Sequence, residues 1–359
     1  MERVDLDIAR EVRTLGARDL DACYSCGVCS AVCPLSKDEI SFPRRMIRYT
    51  MLGLGDRILA SPEPWLCYYC GECSATCPRE ADPGGLMMAL RRFAIRRYSV
   101  GRVADLFYRA FASGIAWVAL TAIAIALILV FREPDVNREQ VEFLSFISLE
   151  NIHVAGVAIV SFIGAAFLAN IWIMYRAMKR GGRGAAFSID NLRKTTRGTV
   201  REIVLQKRFG ECEDDRFRRW AHILVSWGFM GMFLATCIIA AVDFEWIPLP
   251  RWVSLAIGSV SGAVTLAGLG YYVRLRFDRT SPYAKRSHPS DWVFLALLAL
   301  SVTSGYVMLA FRFLDMPTAA YWAFAVHLVA VFDLLMSVPF TKFAHVIYRP
   351  AALWLAGVK

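Results

Sequence analysis

From about residue 108 onward the sequence is dominated by apolar stretches too long to be the one-sided stripe of a water-soluble helix. Six are long enough to span a bilayer: about 110–131 ("AFASGIAWVALTAIAIALILVF"), 152–175, 220–242, 252–273, 291–314 and 320–346. A hydrocarbon core of ~30 Å takes about 20 helical residues at 1.5 Å each. Backbone amides find no water there, so segments of this length must satisfy their own hydrogen bonds as helices. The expected fold is therefore all-α. A mixed-polarity domain over 1–103 precedes a six-helix transmembrane bundle over 104–359. The 57% hydrophobic composition agrees with a membrane protein. The opening "MERVDLDIAREVRTL" carries no apolar signal core, so no secretory signal peptide is expected.

Loop charges orient the spans. The 176–219 connection holds thirteen Lys or Arg and the 274–290 connection holds five, against two, one and none in 132–151, 243–251 and 315–319. The positive-inside rule then places both chain ends in the cytoplasm of a multi-pass inner-membrane protein. These loops account for the net charge of +10, and no nucleic-acid partner is needed. Arg91, Arg92, Arg96 and Arg97 are expected to form a basic collar at the membrane surface. "DNLRKTTRGTVREIVLQKRF" inside the long loop reads as an amphipathic helix, on the lipid surface or docking a soluble partner.

Eight of the ten cysteines fall in "CYSCGVCSAVCP" (Cys23, Cys26, Cys29, Cys33) and "CYYCGECSATCP" (Cys67, Cys70, Cys73, Cys77). Each repeat reads C-x2-C-x2-C-x3-C-P, the bacterial [4Fe–4S] pattern. Two-residue gaps let one tight loop wrap three corners of a cubane, and soft thiolates suit iron and sulfide. The fourth cysteine points away and serves the other cluster. The expected ligand sets are Cys23, Cys26, Cys29 with Cys77, and Cys67, Cys70, Cys73 with Cys33. Paired zinc sites are the competing reading, separable by iron and sulfide analysis. Helical patterning over 35–66 points to a mostly helical two-cluster domain. Cys212 reads as a loop thiol and Cys237 as a packed small residue.

Four of five histidines lie in or at the ends of spans. His222 opens the third on the inner side, and His345 closes the sixth, also inner. His327 lies in its outer half, and His153 opens the second on the outer side. His327 and His345 are eighteen residues apart, five turns of one helix face if the helix continues through Pro339. Two inner and two outer histidines suit two stacked b haems held between helices. Met232 competes with His153 as the second outer ligand. His288, in a "KRSHPSD" loop, reads as solvated. Asp333 inside the sixth span is costly unless it works. Together with Arg251 and Arg312 it is a candidate for the quinone site.

The last five spans resemble the haem-binding gamma subunit of respiratory nitrate reductase, through His222, His327 and His345. That family has a further histidine where this chain has Met232 after Gly231. The first hundred residues resemble the iron–sulfur electron carrier of heterodisulfide reductase, its C component. The two modules in this order resemble the C component of the quinone-interacting membrane-bound oxidoreductase (Qmo) family. That resemblance implies electron transfer between menaquinone and soluble flavin- and iron–sulfur-bearing subunits, with a link to adenylylsulfate reductase in sulfur metabolism. A heterodisulfide-reductase-like complex with another terminal substrate, or an iron–sulfur membrane scaffold or sensor without turnover, are the alternatives. No nucleotide-binding glycine fingerprint occurs, so substrate chemistry other than quinone redox is expected on a partner.

Overall fold

The computed structural model describes residues 4–36, 42–108, 111–131, 136–181, 189–206, 209–210, 216–279, 281 and 283–356. The N-terminal part is built from short helices: α1 (Asp7–Thr14), α2 (Val28–Ala31), α3 (Arg44–Met51), α4 (Gly55–Leu59), α5 (Glu63–Leu66), α6 (Glu72–Ala75), α7 (Pro83–Tyr98) and α8 (Asp105–Tyr108). There is no strand among the described residues. Helix α7 is its axis. Asp82 caps it, accepting from the Gly85 N–H at 3.0 Å and the Ser74 hydroxyl at 2.7 Å, and Pro83 supplies the preset φ of a first helical residue. Leu86, Met87, Leu90, Phe93 and Ile95 on α7 are buried against Ile8, Val12, Met46 and Ile58.

The second part comprises α9 (Phe111–Phe131), α10 (Phe143–Phe146), α11 (Leu149–Arg180), α12 (Ile189–Leu205), α13 (Arg216–Asp243), α14 (Arg251–Asp278), α15 (Pro289–Phe313), α16 (Pro317–Ser337) and α17 (His345–Leu355). Five of these (α11 and α13–α16) are long and apolar enough to cross a membrane; a sixth is added if the bent segment running into α9 counts as one span. Leu168, Trp172, Leu234, Val260 and Trp322 stand exposed on their outer faces, as lipid contact requires. Helices α13 and α14 approach closely through small residues. A Cβ on Gly231 would run into the Ser261 hydroxyl, and one on Gly268 would come within 2.6 Å of the Ala221 carbonyl. Gly231 is therefore a packing glycine.

The sixth span differs from the expected 320–346. Helix α16 stops at Ser337, residues 338–341 turn, and a short 3-10 segment (Lys342–Ala344) leads into α17. Pro339 has no N–H and its ring would crowd the carbonyl four residues back, so the helix ends there. His327 and His345 thus sit on different helices and share no continuous helix face. Asn170, fully buried on α11, mends the break by donating to the Pro339 carbonyl at 3.2 Å, and its own oxygen accepts from the Val100 N–H at 2.8 Å.

One core runs through both parts. Met174 and Met178 of α11 and Phe340, Ala344, Tyr348 and Ala352 around α17 continue the N-terminal core. Trp65, Tyr98 and Tyr348 pack with ring centroids 5.1–6.3 Å apart. The four α7 arginines are structural ties here and make no collar. Arg92 donates to the Leu15 carbonyl and pairs with buried Asp291; Arg96 pairs with Glu11 and Asp105; Arg97 pairs with Glu11. Nor is His288 a solvated loop residue. It caps α15, its Nδ1 accepting from the Ser290 N–H at 3.3 Å. Cys237 is exposed on α13, against the packed position expected for it, and Cys212 lies outside the described residues.

Candidate metal centres

The two cysteine motifs fold alike. In each, the residue before the second cysteine and the glycine after it have left-handed backbones: Ser25 (φ 56°) and Gly27 (φ 96°), Tyr69 (φ 57°) and Gly71 (φ 89°). Glycine adopts such angles without cost, which is why it follows the second cysteine in both. The reversal turns the Ser25 N–H onto Cys23 Sγ at 3.4 Å and the Tyr69 N–H onto Cys67 Sγ at 3.3 Å. The Ala81 N–H likewise points at Cys77 Sγ, 3.4 Å away. Such donors stabilise sulfur that carries negative charge.

Two cavities result. Cys23, Cys26, Cys29 and Cys77 line one, and Cys33, Cys67, Cys70 and Cys73 line the other. Helices α2 and α6 carry the third cysteine of each motif and lead the chain on to the fourth, which lines the other half's cavity. Burial pushes the Cys67 thiol up to about 11, with the Arg91 guanidinium beside it pulling the other way. Cys29, Cys33 and Cys73 are also raised, by burial first. Buried thiols that repel one another's charge need a cation to stay deprotonated, and iron would supply it. The residues fit such a group.

The membrane-side site is the contact between His222 on α13 and His345 at the start of α17, with ring centroids 6.1 Å apart. Two imidazoles flanking one metal ion, each with a bond of about 2 Å, put their ring centres roughly 6 Å apart. The Nδ1 of each ring is already engaged. His222 Nδ1 meets Gln206 Oε1 at 2.8 Å, and His345 Nδ1 donates to the Lys342 carbonyl at 2.7 Å. Acceptors at Nδ1 fix the tautomer that leaves Nε2 as a bare lone pair, the usual outer support of a metal-bound histidine. With their rings inclined at 60°, the two imidazoles would offer a pair of neutral nitrogen donors suited to an iron centre.

The outer residues are less concentrated. His327 Nδ1 lies 3.1 Å from the Ser304 hydroxyl, and a Cβ on neighbouring Gly305 would come within 3.2 Å of its ring. Met232 packs inward against the cluster of Leu269, Leu298, Val302 and Leu334. His153 is occupied near the start of α11: its ring stacks on Phe244 at 4.3 Å and its Nε2 lies 3.6 Å from Asp243. Arg251 donates to the same Asp243 at 2.7 Å, and Arg312 is exposed. Asp333 is fully buried; the Thr121 hydroxyl donates to its Oδ1, and its Oδ2 has no partner among the described residues. It stands sixteen residues from the start of α16, about 24 Å along the axis. Arg251, Arg312 and Asp333 are thus not brought to one place.

Sequence reasoning missed what joins the two sites. Tyr68, next to Cys67, meets Phe209 at 5.0 Å, and Phe209 meets His222 at 5.6 Å. Gln206 and Phe209 come from the long basic loop, whose helix α12 packs along α17, with Trp354 Nε1 donating to Thr196 at 3.3 Å. The loop builds the histidine site.

Comparison with known proteins follows this division. Residues 19–81 match the 4Fe-4S dicluster domain, so the chain carries an iron–sulfur electron-transfer module. A heterodisulfide reductase C-like protein of Archaeoglobus profundus is 36% identical over 98 residues, 27% of this chain and 52% of the relative. The C component of the H(2):CoB-CoM heterodisulfide,ferredoxin reductase of Methanothermobacter thermautotrophicus is 31% identical over 63 residues, 18% of this chain and 34% of the relative. Citrate utilization protein B of Escherichia coli is 32% identical over 151 residues, 39% of this chain and 38% of the relative. The chain spans about half or less of the length of these relatives. No solved structure matches. Residues 110–357 match citrate utilization protein B. With well over half of its length covered by that match, from the first apolar helix to the end of α17, the chain belongs to the citrate utilization protein B family.

Proposed function

We propose that this chain is the membrane subunit of a multi-subunit oxidoreductase, carrying electrons between the quinone pool and a soluble redox partner. The observation that carries the reading is the His222–His345 pair, with both Nδ1 atoms anchored, joined through Phe209 to Tyr68 in the loop of a four-cysteine cavity. Bound b haem and [4Fe–4S] clusters would supply reversible one-electron chemistry. His222 and His345 would hold the inner iron. His327 would hold the outer one, and Met232, already turned into the bundle, is the partner assigned to it ahead of surface-engaged His153. Cys23, Cys26, Cys29 and Cys77 would ligate one cluster, and Cys67, Cys70, Cys73 and Cys33 the other.

Asp333 lies six residues beyond His327 on α16, about 9 Å further along the axis, so its carboxyl would serve a proton path within the bundle. Arg312 is the outer candidate with a free approach. The basic connections lie on the same side as the cysteine domain, Arg218 reaching Tyr68 and Arg286 reaching Asp19. By the positive-inside rule that side is cytoplasmic. The soluble partner has two branches. Likeness to the heterodisulfide reductase carrier favours a sulfur-linked flavoprotein, adenylylsulfate reductase among them. Likeness to citrate utilization protein B favours an oxidoreductase of citrate utilisation. Reduced-minus-oxidised spectra of the purified full chain test the core of the proposal. The b-type bands should fall in His345→Ala and separately in His327→Ala, and a chain without such bands is a scaffold or sensor. Co-purifying proteins decide the branch.

A further inference from the structure

The two cysteine cavities do not stand in the same relation to the membrane histidines. The segment Leu66–Tyr69, which begins the second motif, is gripped from the membrane side. Arg349, one turn after His345 on α17, reaches the Leu66 carbonyl at 3.5 Å, and its guanidinium lies 3.7 Å from the centre of the Tyr68 ring. Arg218, one turn before His222 on α13, donates to the Tyr68 carbonyl at 2.9 Å. Arg91 donates to the Cys67 carbonyl at 2.5 Å and the Pro64 carbonyl at 3.1 Å. So each helix that carries one imidazole of the inner pair also carries, four residues away, an arginine fastened to the loop of the second motif. Tyr68 and Phe209 fill the space between that loop and His222 with successive ring contacts of 5.0 and 5.6 Å. The first motif faces outward. Cys26 is exposed, and Tyr24 is 71% exposed beneath the Arg79 guanidinium.

From this asymmetry we infer an order of centres. The Cys33, Cys67, Cys70 and Cys73 centre exchanges electrons directly with the His222–His345 iron, and the Cys23, Cys26, Cys29 and Cys77 centre meets the soluble partner. The inference rests on the haem reading above. Each exchange moves one electron, with no bond made and no proton transferred. As the inner iron goes from ferrous to ferric, the second-motif cluster is reduced by one, and the step reverses when electrons flow from partner to quinone. Quinol is the reductant and the soluble redox partner the oxidant in the first direction. Tyr68, Phe209, Arg218 and Arg349 are positioning residues that set the distance and orientation between the two centres.

The test uses the full chain with its cofactors in place. Removing one ligand from a cubane, by Cys70→Ala or Cys26→Ala, is the route to a [3Fe–4S] cluster that is paramagnetic when oxidised. It then coexists with ferric low-spin haem, and its spin-lattice relaxation reports how near that haem is. The Cys70→Ala signal should relax severalfold faster than the Cys26→Ala signal. The excess should vanish when His345→Ala is added. Cys73→Ala and Cys23→Ala repeat the comparison if the first pair fails to assemble. Equal relaxation in the two variants, or faster relaxation in the first-motif variant, overturns the order of centres while leaving the haem reading intact. A chain without b-type bands overturns the haem reading itself, and this inference with it.

Discussion

Gln206→Leu is the most informative single change, because Gln206 touches no metal yet decides how His222 presents itself. Its Oε1 lies 2.8 Å from His222 Nδ1, and the residue is only 8% exposed. Leucine keeps the volume and removes the acceptor, so a buried N–H loses its main partner at a cost of about 1–3 kcal/mol. Outer-sphere partners of metal-bound histidines are worth roughly ten- to hundredfold in affinity. Ser226 Oγ, 3.3 Å from the same Nδ1, offers a fallback acceptor. The expected loss therefore sits near the tenfold end. Titration of haem-depleted protein with haem, followed in the Soret band, should show one of two b sites weakened about that much. The site lost in His327→Ala should be unaffected in Gln206→Leu. Gln206→Glu keeps an acceptor, and should restore occupancy while lowering the potential of that haem, because the carboxylate adds negative charge beside the ring. Unchanged occupancy in Gln206→Leu, with the protein folded, would refute the assignment of His222 as a ligand positioned through Nδ1.

Three further outcomes follow. Gly268→Ala pushes a methyl to 2.6 Å from the Ala221 carbonyl, next to His222; overpacking of this kind costs about 1–3 kcal/mol, seen as a lower Tm in detergent with reduced inner-haem occupancy. Asp291→Asn leaves Arg92 (2.9 Å) and Lys342 (3.0 Å) without their shared carboxylate at the seam between the two parts; breaking such a buried pair costs about 3–5 kcal/mol, and limited proteolysis should then cut first in the segment joining α7 to α8. Burial, aided by the Arg92 charge, lowers His288 from 6.5 to about 4. The neutral ring is the folded-state form, so its stabilising share is present above pH 6.5 and is lost as pH falls towards 4. His288→Asn keeps a cap that does not titrate, and its Tm should fall less than that of the parent between those pH values.

How much of this could be read from the chain depends on how local each feature is. The cysteine loops are local: two-residue gaps and a glycine after the second cysteine dictate a left-handed turn around sulfur, and the structure gathers the thiols into two groups of four. The apolar spans are local too, since length and hydropathy alone decide them. Depth in the membrane pairs the inner histidines, and they do meet, but a single helix face does not bring His345 into place. Pro339 ends α16, and the turn at 338–341 with the Lys342–Ala344 segment delivers His345 as the first residue of a new helix. Nothing local distinguishes Gln206, Phe209 or Arg349 from other residues of a basic loop and a terminal helix. Their roles come from contacts that span 16 to more than 280 positions of chain. The α7 arginines mislead for the same reason: a run of basic residues before a span reads as a membrane collar, whereas Glu11, Asp105 and Asp291 claim three of them and backbone carbonyls the fourth.

The proposed centres form a line from the outer half of the bilayer to an exposed cysteine cage. Iron, acid-labile sulfide and haem b, counted per chain in anaerobically purified protein, test it most directly. Two cubanes require about eight sulfides, and the histidines predict two haems beside them. A full complement of sulfide without haem would leave the cysteine domain standing and remove the membrane half of the line, and protein free of both would contradict the account entirely.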